Sequence, residues 1–140
     1  MADAALLKKL LVKPGMRVLV LNAPNGYLAR LEPLPDGTSL STRPNDVFDM
    51  AQLFVAQKAE LDAAWPTVQA AVKPGGVVWL AYPKLSSKVK SDMTRDRGWE
   101  TVRAAGWEPV TQIAIDDIWS ALRFRPVSEI PSLTRKFDRQ

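Results

Sequence analysis

The stretch from Pro83 to Arg97, P-K-L-S-S-K-V-K-S-D-M-T-R-D-R, gathers the side chains best suited to chemistry in this sequence. Lys84, Lys88 and Arg95 attract an anion, and the hydroxyls of Ser86 and Ser87 can donate to its oxygens. A helix predicted to start at Asp92 would add unpaired N–H groups and the positive end of its dipole. Together these point to recognition of a small anion such as phosphate or carboxylate. A solvated basic loop in which Ser91 or Asp92 only caps the next helix would give the same pattern. A second polar loop, Asn22-Ala23-Pro24-Asn25-Gly26, offers the amides of Asn22 and Asn25. Gly26 would let backbone come close to a ligand there.

What is missing narrows the chemistry further. The 140-residue sequence contains no Cys and no His. Disulfides, thiolates, a Ser-His-Asp site and the commonest zinc ligand are excluded. Catalysis would have to use Asp, Glu, Lys, Tyr or Arg, or a cofactor, and no catalytic residue is assigned. Asp116-Asp117 is the one adjacent acid pair. In a strand its side chains would point to opposite faces, and in a turn they satisfy local N–H groups, so no metal site is expected. The balance of 19 basic and 15 acidic residues gives +4, which mildly favours an anionic partner. Nucleic acid is not expected, because such modules concentrate more charge. Arg95-Asp96-Arg97 reads as structural ion pairing, and Gly98 as a point of close packing. The five tryptophans read as core.

These loops need a scaffold, and the sequence supplies one. Val12-Lys13-Pro14-Gly15 and Val72-Lys73-Pro74-Gly75 each precede an apolar run, Arg17–Leu21 and Gly76–Tyr82, that fits a strand buried on both faces. Ala4–Val12 is predicted helical, with Leu6, Leu7, Leu10 and Leu11 on one face. Tyr27–Leu34 is predicted as a short helix and Thr38–Thr42 as an edge strand. Asp49–Val55 is predicted as a third strand. Gln57–Val72 is predicted as a helix, kinked or broken at Pro66. Asp92–Ala105 is predicted as a helix capped by Gly106. Glu108–Ile115 and Ile118–Arg125 form a hairpin, so the last strand runs antiparallel. The expected fold is α/β, one domain over residues 1–126, with an irregular basic tail over 127–140 carrying Arg135, Lys136 and Arg139. No apolar run approaches the roughly 18 residues of a membrane span, and a cytoplasmic location is expected.

Strand, loop and helix repeated, then a closing antiparallel hairpin, resembles the S-adenosylmethionine-dependent methyltransferase fold over about Lys13 to Pro126. Pro14-Gly15-Met16-Arg17-Val18-Leu19-Val20-Leu21 resembles its first strand. Val72-Lys73-Pro74-Gly75-Gly76-Val77-Val78-Trp79-Leu80 resembles the entry to a later one. The resemblance implies a Rossmann-like three-layer sheet of order 2-1-3-4-6-5, with strand six antiparallel and one unit fewer than the full fold. It also implies binding where strands one and three diverge, among the loops 22–26, 43–46, 56–58 and 83–91. Two features depart from the family. The Asn22–Gly26 loop has one glycine where the family has several, and Ser41-Thr42-Arg43 has no acid where the family holds ribose hydroxyls. From those departures the expectation is no cofactor, in place of S-adenosylmethionine. The expected function is then a non-catalytic methyltransferase-like domain that binds a small anionic ligand or a protein partner. The alternatives are a divergent methyltransferase using Tyr82 or an Asp as base, and a nucleic-acid-binding module. A second resemblance, to a bacterial family of small proteins, rests on Ala81-Tyr82-Pro83-Lys84, Thr94–Trp99 and Ile115–Arg125, and implies no particular activity.

Overall fold

The computed structural model describes residues 4–130. One six-stranded sheet has the order β2-β1-β3-β4-β6-β5. Its strands are β1 (Arg17–Leu21), β2 (Ser39–Ser41), β3 (Phe48–Phe54), β4 (Val72–Pro83), β5 (Trp107–Ala114) and β6 (Trp119–Pro126). β1, β2, β3 and β4 pair in parallel, and β6 runs antiparallel to both β4 and β5. The strand order is the one the resemblance implied, and the reversed β6 is the one the hairpin required. The central strands carry apolar side chains on both faces, and each face has its own core. One core packs Leu61, Trp65, Val68, Trp99, Val102 and Trp107 over Leu53, Leu80, Leu122 and Phe124. The other packs Leu6, Leu7, Leu10, Tyr27 and Leu31 over Val18, Val20, Met50 and Trp79. Burying such side chains is the dominant favourable term in folding.

The helices differ more from expectation than the strands do. α1 spans Ala4–Lys9, and its leucines Leu6 and Leu7 are buried against the sheet, as is Leu10 just beyond it. α2 is a single turn, Tyr27–Arg30, and stops short of the predicted Leu34. α3 (Lys58–Ala71) contains Pro66 and remains one helix. The proline forfeits one bond to the carbonyl of Asp62, but the buried face of Leu61, Trp65, Val68 and Ala71 holds the helix together. α4 is only Glu100–Ala104, so the helix predicted from Asp92 does not form there. Residues 92–98 instead make a tight reversal closed by a Thr94–Arg97 bridge. Gly98 lies outside the helix at φ +104°, and a Cβ there would stand 2.9 Å from Met93 Cε. Gly106 follows α4 at φ +89°, the expected capping position. The chain ends its described part in a 3-10 turn, Val127–Glu129, and Arg135, Lys136 and Arg139 lie outside the described residues.

The Pro-Gly-Gly segment sets where β4 enters the sheet. A Cβ on Gly76 would lie 2.9 Å from two backbone oxygens, those of Asp49 and Lys73, and would overlap the Val72 side chain. Backbone in a paired strand cannot step aside cheaply. Gly76→Ala is expected to cost about 1–3 kcal/mol, measured by urea unfolding. A cost under about 0.5 kcal/mol would show that the β3–β4 ladder relaxes here.

Candidate functional site

Because β1, β3 and β4 run in one direction, their carboxyl ends open onto one rim. Strand order reverses between β1 and β3, the place where open α/β sheets take ligands. The loop leaving β1 is bounded by two left-handed residues, Asn22 at φ +60° and Gly26 at φ +85°. Asn tolerates that region better than most residues, and Gly meets no penalty there. Gly26 has open space where a Cβ would be, so its torsion and not a close approach selects glycine. The Asn22 and Asn25 side chains project from this loop into solvent.

α2 is anchored from both ends. The Tyr27 hydroxyl bonds the Gln52 amide oxygen in the interior, and its ring stands edge-on to Phe54 at 4.6 Å. Burial pushes the Tyr27 phenol well above its usual range. Arg30 donates to Asp116 Oδ2 and to the Ile115 carbonyl, both at 3.0 Å. Asp116 Oδ1 in turn accepts from the N–H groups of Ile118 and Trp119. Asp116 is therefore a turn residue that also clamps α2. Among the described residues no group of three or more potential metal ligands comes together.

The other rim loops sort differently from the sequence expectation. Arg43 follows β2, and its main chain bonds Ser41 Oγ at 3.1 Å in both directions. Asp46, expected at the same rim, pairs with Arg17 at the amino end of β1, because the 43–46 loop must run back along the sheet to start β3. That guanidinium holds the Asp46 carboxyl below its usual range, and Lys73 does the same for Asp49. Tyr82, considered as a base, has its hydroxyl within 3.1 Å of the Gln112 amide, which donates to it. Burial raises the Tyr82 phenol's pKa, so it keeps its proton.

Loop 84–93 carries most of the predicted anion ligands, but the helix N-terminus predicted at Asp92 is absent, since α4 begins at Glu100. Lys84 N donates to the Ile118 carbonyl at 2.7 Å, and Gln57 Nε2 donates to the Lys90 carbonyl at 2.9 Å. Asp92 does cap a helix, but a different one: its Oδ1 accepts from Lys58 N, at the start of α3, at 2.7 Å. Ser91 Oγ accepts from Met93 N at 2.9 Å. Lys84, Ser86, Ser87 and Lys88 share this arch. Arg95 leaves them, pairs with Asp96, and lines a separate groove of about 630 Å³ with Trp99, Arg103 and Gln112. The feature missed by sequence reasoning is an open hollow of about 300 Å³ along the arch, lined by Pro83, Lys84, Leu85, Val89, Lys90, Ser91 and Met93. Its signal was the interleaving of lysines with Leu85 and Val89.

Comparison with family models and with curated proteins finds no match. Solved structures do match. A DhpI–SAM–HEP complex superposes with TM-score 0.60 at 18% identity, covering 88% of this chain and 85% of that one. A SAM-dependent methyltransferase from Thiobacillus denitrificans, in complex with S-adenosyl-L-homocysteine, gives 0.57 at 10% identity, with 88% and 90% covered. The [4+2]-cyclase SpnF gives 0.60 at 12% identity, with 87% and 78% covered. The fold is thus methyltransferase-like, as its resemblance implied. The expectation of no cofactor is corrected by the same finding: neighbours sharing this sheet over most of their length are captured with SAM or S-adenosyl-L-homocysteine. Departures at one loop and one strand end are a weaker guide than the whole topology, since backbone N–H groups and hydroxyls can replace particular side chains in holding a ligand. The residues fit the cofactor in part. The loop after β1 has two left-handed corners, and Ser41 and Thr42 bring hydroxyls, not a carboxylate, to the end of β2.

Proposed function

We propose that this chain is a divergent S-adenosylmethionine-dependent methyltransferase whose cofactor lies across the carboxyl ends of β1, β2 and β3. The observation that carries the reading is the loop bounded by left-handed Asn22 and Gly26 at the point where strand order reverses. The Asn22 and Asn25 amides and the loop N–H groups would hold the amino-acid end of the cofactor. The Thr42 hydroxyl would face its ribose. When bound, the cofactor supplies an activated methyl group. The lysine- and serine-bearing arch 84–88 supports an anionic ligand at the same rim.

A hydrogen bond to a charged group contributes about 1.5–3 kcal/mol, so having hydroxyls where the family has a ribose-binding carboxylate weakens binding without abolishing it. Isothermal titration of S-adenosyl-L-homocysteine and S-adenosylmethionine into the full chain tests the reading. Saturable heat with one-to-one stoichiometry is expected from both. No saturable heat at millimolar ligand, with the fold verified by circular dichroism, would refute it.

A further inference from the structure

Among the described residues five large apolar side chains are exposed: Val47, Leu85, Val89, Ile118 and Val127. Three of them belong to two backbone-bonded stretches at one corner of the rim. Leu85 (84% exposed) and Val89 (39%) lie on the arch, and Ile118 (43%) is tied to it through the Lys84 N–H. Leu85 and Val89 help line an open hollow of about 300 Å³, at the lower end of the range for small-molecule sites. Pro83 and Met93 complete its apolar lining, while Lys84, Lys90 and Ser91 stand on its walls. No described carboxylate pairs with Lys84, Lys88 or Lys90. Asp92, the nearest acid in sequence, spends an oxygen on the start of α3. Exposed apolar groups that line a hollow mark a binding site more often than scattered ones do.

We propose that this hollow binds a small anionic amphiphile, a carboxylate or phosphate on a short apolar body. The body occupies the space lined by Leu85, Val89, Met93 and Pro83. The head group meets Lys84 and Lys90. The arch is pinned at Lys84 and at Lys90–Asp92, so the five residues 85–89 between the anchors form the cover. Neither feature alone selects this ligand: lysines would take any anion, and the apolar lining would take any small oil. The site does not depend on the cofactor reading, since it needs no residue of the Asn22–Gly26 loop.

The test titrates octanoate, octan-1-ol and inorganic phosphate into the full chain at low salt, without cofactor. The methyl signals of Leu85, Val89 and Met93 are followed by nuclear magnetic resonance. Octanoate is expected to saturate all three, about tenfold or more tighter than either other probe. Lys84→Ala/Lys90→Ala is expected to weaken octanoate about tenfold and leave octanol unchanged. Leu85→Ser, at a side chain too exposed to support the fold, is expected to weaken octanoate and octanol together. Phosphate as tight as octanoate, octanol as tight as octanoate, or a double-lysine variant that binds like the parent would each overturn the proposal. So would binding to anionic lipid vesicles with none to octanoate.

Discussion

Replacing Trp79 by alanine is expected to lower the unfolding free energy by about 3–5 kcal/mol, a large part of the roughly 5–15 kcal/mol that holds a domain together. Trp79 is 1% exposed, in the middle of β4, beneath α1. Its indole N–H donates to the Leu10 carbonyl at 2.9 Å, just past the end of α1. That helix has six residues, too few to persist in water without tertiary contacts. Losing the indole therefore opens a cavity and frees the helix at once. Two measurements separate these effects. Trp79→Phe keeps most of the apolar contact and orphans the carbonyl, at a cost of about 1–3 kcal/mol. Hydrogen exchange over residues 6–10 should accelerate more in Trp79→Ala than exchange over β3. A loss below 1 kcal/mol, or unchanged exchange over residues 6–10, would mean that α1 is held by something else.

Thr42→Asp is expected to raise affinity for S-adenosyl-L-homocysteine about 10- to 100-fold, from the 1.5–3 kcal/mol of a charged hydrogen bond. Thr42 follows β2 and is exposed, and Ser41 beside it already bonds the Arg43 main chain. A carboxylate here would accept from two ribose hydroxyls. Arg43 could intercept the new carboxylate, so the comparison includes Thr42→Asp/Arg43→Ser, in which that competitor is gone. Affinity unchanged in both variants would remove the ribose from the end of β2 and with it the proposed orientation of the cofactor.

The sheet was legible in the sequence because its central strands are covered on both faces, which makes Val18–Leu21 and Val77–Tyr82 nearly unbroken apolar runs. The reversed β6 was legible because Asp116-Asp117 leaves room only for a short turn. The helix before Gly106 is shorter than its sequence predicts for a reason no local window contains. Asp92 and Lys90 make their bonds to α3, more than thirty residues away in sequence, and Gly98 needs a backbone angle no helix supplies. The same long-range bonds divided the predicted site. Arg95 is seven residues from Lys88, yet a tight reversal sends it to another groove. Asp46 was misplaced because two parallel strands joined by a short loop require that loop to cross the full height of the sheet.

The bonds from Asp92 to Lys58 and from Gln57 to Lys90 have one more consequence. They fasten the cover of the small hollow to the first turn of α3, and that turn begins just beyond the exit of β3, beside the loop that leaves β1. A molecule that bound one shape of the cover better than another would therefore also bias the position of the neighbouring strand exit. Thermodynamic reciprocity makes that influence run equally both ways: whatever factor one occupant applies to the other's affinity, it receives in return.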